Sequence, residues 1–397
     1  MNRRDVIKTG LLGLSAGAVA LSGCNKEVAQ SDELEIIPKQ TGTYEFSVPL
    51  PFNYKVIDEV LELNSKYKKS QVFSFYNCTP ETIKTKFNHW IQIPREGGIP
   101  SPCKTYQDFE NYVKYALNNG FKFTYLMNSP KPFSEQDFLS FKDDFMYLLD
   151  FLYKIGVRNI KIGNTQVAQL INEITQNAFT LSGSTALEFN NITQYKYLFE
   201  RYPNFDVIDL PIDQSFNFKF LQGLIKMFPD KKLELMVNDG CTKGCPAWIS
   251  HRPERFFCSF RCPLSQNGQG SLLSFVCSGL VYPWNLEYYS AIGINNFKFV
   301  ARGNLEMRSN YNDLTYLDNY LSALEYGADD MSVDTFFNKM YSEHFSFSNN
   351  AKVSEIKSLL PDIHQFIKYG HECAVKCGVE CNYCELCAKR TENFLLG

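Results

Sequence analysis

The sequence predicts an α/β fold, a (β/α)8 TIM-like barrel with a C-terminal helical, cysteine-rich extension. Three observations predict it. From residue 43 onward, eight short β-branched or aromatic runs alternate with stretches of helical periodicity. Three junctions share one grammar, in which a helical stretch ends at a glycine and a strand follows: Gly120, Gly156 and Gly293. Glycine at that place suits a left-handed helix cap. Finally, no Gly-rich phosphate loop follows the first strand, which weighs against an open dinucleotide-binding sheet.

In order, the expected strands are 44–48, 71–76, 122–127, 159–163, 179–182, 205–210, 233–237 and 297–301. Helices are expected at 56–66, 106–118, 135–155, 165–175, 192–201, 214–227 and 284–292. Repeated β-then-α units imply a parallel sheet, and eight of them favour closure. With 44% hydrophobic residues, the 397-residue chain has ample material for such a core. Net charge is −3 and basic residues are scattered, so no nucleic-acid partner is expected.

The N-terminus reads as an address. Arg3 and Arg4 open a run that looks like a twin-arginine export signal, and residues 9–23 are uncharged and too short to span a membrane comfortably. Leu21-Ser22-Gly23-Cys24 looks like a lipobox, which makes Cys24 the lipidation site; a plain signal peptide is the rival reading. The expected organisation is therefore a lipoprotein signal over 1–24, a tether over 25–42, the barrel over 43–345 and the cysteine-bearing tail over 346–397. The mature protein is expected outside the cytoplasmic membrane, on the periplasmic or cell-surface side, attached by lipid and not spanning.

A barrel of this kind works at the C-terminal ends of its strands. The polar residues expected there are Asn77, Asn128, Asn164, Thr185, Asp209, Asp213, Asn238, Asp239 and Arg302. Each alone reads more readily as a turn or cap residue. Together they make a polar mouth for an unknown small-molecule substrate.

Nine of the thirteen cysteines are clustered, and Cys24, Cys78, Cys103 and Cys277 are isolated. After the seventh strand come Cys241, Cys245, Cys258 and Cys262, spaced C-x3-C-x12-C-x3-C, with His251 between the pairs. Two short pairs joined by a loop can wrap one metal centre, and thiolates suit iron–sulfur or zinc. His251 stands open as ligand, proton donor or surface residue. With Asn238, Asp239 and Arg302 it completes the candidate catalytic set.

Residues 159–262 carry Ile162-Gly163-Asn164-Thr165-Gln166-Val167-Ala168 after strand four and the cysteine-bearing loop after strand seven. Together with Trp284-Asn285-Leu286-Glu287-Tyr288-Tyr289, 292–299 and Arg302, they resemble peptidase family U-thirty-two. That family includes collagenase-like proteins and the UbiU and UbiV proteins of ubiquinone hydroxylation. The resemblance spans about residues 45–305. It implies a 4Fe-4S cluster and oxygen-independent hydroxylation. It also implies that Cys241, Cys245, Cys258 and Cys262 are the ligands, with Cys78 or Cys277 as substitutes for Cys241. The export signal departs from the family's cytoplasmic members.

The tail holds Cys373, Cys377, Cys381, Cys384 and Cys387, four ligands and a spare. Cys377, Cys381 and Cys384 have the spacing of a radical-SAM triad, but such a triad belongs after the first barrel strand. An auxiliary cluster docked by a helical segment over 352–369 is the reading adopted, giving one or two iron–sulfur centres in all, with zinc as the alternative. Disulfides compete because export permits them. C-x2-C spacing nevertheless suits wrapping a metal, and a chain this long needs no covalent staples.

Three functions follow as expectations. The first is an iron–sulfur oxidoreductase fed by an outside electron-donor protein. The second is a non-enzymatic electron-transfer or binding lipoprotein. The third is a peptidase, for which no nucleophile elbow, assembled triad or H-E-x-x-H run is present.

Overall fold

Strand β1 (Tyr44–Pro49) opens a closed ring of eight parallel strands. The ring continues through β2 (Ser70–Asn77), β3 (Lys122–Met127), β4 (Asn159–Ile162), β5 (Thr180–Gly183), β6 (Phe205–Asp209), β7 (Lys232–Met236) and β8 (Asn296–Lys298). Each strand pairs with its sequence neighbour, and β8 returns to pair with β1 through Phe46↔Phe297 and Ser47↔Lys298. The structure is a computed structural model that describes residues 34–50, 52–80, 82–83, 85–87, 102–239, 275–276, 278–300, 314–341, 350–372 and 379–396. The chain divides into two compact units, Met1–Leu34 and Glu35–Gly397, and the barrel belongs to the second. The expected (β/α)8 class is the observed one.

The helices between strands form where amphipathic spacing and a polar cap coincide. They are α1 (Tyr54–Lys66), α2 (Tyr106–Asn118), α3 (Glu135–Lys154), α4 (Thr165–Thr175), α5 (Ile192–Arg201), α6 (Phe218–Met227) and α7 (Leu286–Ala291). Helix α3 shows the logic. Ser134 and Asp137 make a reciprocal capping box, and Phe141, Phe145, Leu148, Leu149 and Leu152 are buried at helical spacing. The same box starts α2 with Thr105 and Asp108, and α5 with Asn191 and Gln194. Gly120, Gly156 and Gly293 all carry positive φ, between 85° and 97°, as their place at helix ends requires.

Most boundaries shift by one or two residues, and three elements depart further from expectation. The helix expected from 214 begins at Phe218, because the Asn217 side chain accepts from Phe220 N at 3.2 Å and caps it there. The segment over 352–369 is two helices, α9 (Val353–Ile356) and α10 (Ile363–Tyr369), separated at Pro361 and restarted by the Asp362 cap. Strand β8 ends at Lys298, although Phe299 N still donates to Ser47 O at 2.9 Å.

Helix α8 (Thr315–Tyr326) and a π-helical turn (Thr335–Met340) follow the barrel, and α11 (Tyr383–Leu396) closes the chain. Helix α10 docks beside the start of α6, where the ring of Phe366 lies 4.9 Å from that of Phe216, two residues ahead of α6. Of the expected tether, residues from Ile36 onward lie against the barrel. Ile36 is buried, Lys39 N donates to Glu287 O at 3.2 Å, and Thr41 N donates to Ser290 Oγ at 2.9 Å. Among the described residues no helix is long and apolar enough to cross a membrane.

Candidate active site inside the barrel

Four barrel strands each place one charged residue between two apolar ones: Ile160-Lys161-Ile162, Ile208-Asp209-Leu210, Leu233-Glu234-Leu235 and Phe297-Lys298-Phe299. Successive side chains on a strand point to opposite faces. The apolar flanks pack outward under the helices, so the charged residues turn into the lumen. There they meet. The Lys161 ammonium donates to Asp209 Oδ1 and, at 2.5 Å, to Glu234 Oε2. The Lys298 ammonium donates to Asp209 Oδ2 at 2.7 Å. Ser47 Oγ donates to Glu234 Oε1 at 2.6 Å.

Strands β4 and β6 are not neighbours, nor are β6 and β8, so these bonds cross the barrel interior. All four charged residues are at most 4% exposed. Tyr76 supplies a further wall: Lys298 Nζ lies 4.5 Å from its ring centroid, and its hydroxyl donates to Phe299 O.

The electrostatics separate the two lysines. Burial disfavours the charged form of Lys161, but the carboxylates of Asp209 and Glu234 outweigh it and raise its proton affinity. Lys298 has one carboxylate in contact. Burial dominates, the neighbouring Lys161 ammonium reinforces it, and its pKa is pulled down to about 8. Burial also works to protonate Asp209, yet the two ammoniums hold its carboxyl well below the usual range. For Glu234, burial and the nearby Asp209 charge win, and its pKa is raised.

The expected mouth residues sort by what they touch. Asn164 is a helix cap, its side chain accepting from Gln166 N at 2.8 Å. Asn77 accepts from the adjacent Cys78 N and donates to Leu50 O at the exit of β1. Asp213 is exposed on a short turn after β6. Thr185 and Asn128 are buried, and Asn128 Oδ1 has no hydrogen-bond partner. Asp239 is fully buried. Asn238 clamps two strand exits: its Nδ2 donates to Val300 O at 3.1 Å and its Oδ1 accepts from Val300 N at 2.7 Å. Among the described residues of that set, only Asp209 enters the charged cluster.

Sequence reasoning missed Lys161, Glu234 and Lys298. The signal was partial, since Glu45 and Asp206 sit between apolar residues on barrel strands in the same way and yet are half-buried rather than enclosed.

His251, Arg302, Cys241, Cys245, Cys258 and Cys262 lie outside the described residues, as do Cys24, Cys277, Cys373 and Cys377. Cys78 is buried at the end of β2. In the tail, Cys381 is exposed, Cys384 half-buried and Cys387 buried, and none of the described cysteines is in a disulfide. Cys384 and Cys387 are one turn apart on α11, and burial pushes the Cys387 thiol pKa up. Tyr383 ties this helix to the start of α10 by accepting from Asp362 N at 2.8 Å. Thiolate donors suit iron–sulfur or zinc. Among the described residues, however, no three His, Cys, Asp or Glu side chains converge on one point.

Fold and interior together define a parallel α/β barrel with an ionised lumen. No family model matches the chain, and no curated protein matches it. Among solved structures it is similar to the U32 peptidase Mk0906, at 14% identity and a TM-score of 0.43, over 69% of this chain and 99% of that one. It is similar to N-acetylneuraminate lyase from Fusobacterium nucleatum, at 11% identity and 0.36, over 89% and 98%. D-psicose 3-epimerase from Clostridium cellulolyticum H10 gives 13% and 0.36, over 71% and 97%. At these identities and scores none of the three bears on what this chain does.

Proposed function

We propose that this protein is an exported, lipid-anchored iron–sulfur barrel that performs hydroxylation-type redox chemistry on a small molecule bound at the mouth. One observation carries the reading. The chain leaves β7 at Met236, and on its return Val281 N donates to Val237 O at 2.9 Å. The described residues on either side of the stretch that bears Cys241, Cys245, Cys258 and Cys262 thus meet at the C-terminal rim, where barrels of this fold do their chemistry. The Asn238 clamp on Val300 ties the same rim to the chain leading to Arg302. A cluster held by those thiolates would supply single electrons beside a substrate at the mouth. The tail cysteines, tethered through Tyr383 and Asp362, would receive electrons from an outside donor.

Anaerobic purification of the full chain, with iron and sulfide counting and visible and EPR spectra, tests the reading. A brown protein whose spectrum changes in Cys258→Ser and separately in Cys384→Ser is expected. Colourless protein, or zinc in place of iron, overturns it. Labelling with palmitate that depends on Cys24 tests the anchor, and unlabelled protein in the soluble fraction overturns that part.

A further inference from the structure

We propose that Lys298 is a reactive amine, the centre of a second, metal-free chemistry in which a small aldehyde or ketone entering the barrel condenses with it to an imine. This goes beyond the iron–sulfur reading and does not depend on it.

The argument starts from the oddity of the cluster. Barrel interiors of this fold are filled mainly by branched apolar residues in layers. Here four ionised side chains from β4, β6, β7 and β8 replace them. Burying charges costs several kcal/mol each even when they are paired, so stability is a weak reason to keep them. Buried ionised networks with displaced proton affinities concentrate at functional sites.

The two lysines are unequal, and the inequality points to one of them. Lys161 is locked between two carboxylates. Lys298 holds one, faces the Tyr76 ring and has a second ammonium nearby. It is also the last residue of β8, at the working end of the barrel. A desolvated amine beside another cation is the known way to make a lysine nucleophilic near neutral pH.

The step balances without an added oxidant or reductant. The neutral Lys298 nitrogen adds to the carbonyl carbon, and its surplus proton leaves along the Nζ–Asp209 Oδ2 bond. Asp209 returns that proton to the former carbonyl oxygen, giving the carbinolamine, and the nitrogen's second proton then follows the same path to the hydroxyl, which departs as water while the C=N bond forms. Asp209 moves the proton. Lys161 and Glu234 act as positioning residues, Lys161 by keeping Asp209 ionised and Lys298 short of its proton.

The test uses the full chain, with glycolaldehyde and pyruvate as probes and cyanoborohydride to reduce any imine to a stable secondary amine. Peptide mapping at pH 7 is expected to find the adduct on Lys298 at least ten times faster than on the average surface lysine. The rate should rise to half its maximum near pH 8, and Asp209→Asn should move that midpoint to lower pH. Lys298→Arg should lose the adduct. Labelling of Lys298 at or below the surface average, or a midpoint near that of an ordinary lysine, overturns the proposal. Both readouts on the unsubstituted protein stand even where a variant fails to fold. Metal content is not expected to affect either.

Discussion

Asp209 is the keystone of the charged lumen, and Asp209→Asn isolates its contribution. The carboxylate is shared by two buried ammoniums, Lys161 and, at 2.7 Å, Lys298. Asparagine keeps the shape and one acceptor but removes the charge. Lys161 retains Glu234 and loses one charge-assisted hydrogen bond, about 1.5–3 kcal/mol. Lys298 has an escape, because it can shed its proton. With its pKa pulled down to about 8, that costs on the order of 1 kcal/mol at pH 7, which caps its share of the loss. The sum is about 3–4 kcal/mol, within the range of about 3–5 kcal/mol for removing one partner of a buried pair. The escape costs nothing once the pH exceeds the Lys298 pKa, so the penalty should shrink by about 1 kcal/mol between pH 7 and pH 9. Urea unfolding at both pH values, followed by far-ultraviolet circular dichroism, measures it. A loss under about 1 kcal/mol at pH 7, or one that grows toward pH 9, refutes the reasoning.

Two further outcomes follow from the same geometry. Lys298 binds its proton less tightly folded than unfolded, so between about pH 8 and 9.5 its contribution makes the protein more stable as pH rises, by up to about 1.4 kcal/mol per unit. Lys161 is shifted the other way and its contribution is lost only above the ordinary lysine range, while buried tyrosines such as Tyr195 begin to oppose the rise near pH 10. Lys298→Met should therefore flatten the curve, and an unchanged slope by urea titration across that window counts against the assignment. At the mouth, a Cβ on Gly163 would lie 2.5 Å from Asn128 O, a backbone atom that cannot rotate away. Gly163→Ala should cost about 1–3 kcal/mol in the same assay, and a neutral substitution would mean that β3 and β4 can part there.

Element positions were readable from sequence because they rest on local physics. Strand β3 and helices α2, α4 and α5 coincide with expectation, since alternation, helical spacing and side-chain caps are all set within a few residues. The positive φ of Gly120, Gly156 and Gly293 was foreseeable for the same reason. Reading the mouth residues one by one worked less well. The side-chain oxygens of Asn164 and Asn77 accept from backbone N–H groups just ahead in the chain, at Gln166 and Cys78, whereas Asp209 belongs to something its neighbours do not reveal.

By itself the sequence determined the barrel, its order of elements and a supply of cysteines whose spacing suits a metal. It also carried the residues of the lumen, each a charged residue flanked by two apolar ones, a pattern that Glu45 and Asp206 share outside the cluster. What only the tertiary structure decided is that these four residues meet. Lys161 and Glu234 are separated by 73 positions, and Lys298 and Asp209 by 89. Closing β8 onto β1 brings them into one low-dielectric space, and there their charges set each other's proton affinities. The pairing across the lumen depends on register and closure, which no local pattern encodes. Lys298 gives up its proton more readily than an ordinary lysine because of that enclosure, not because of any residue beside it in the chain.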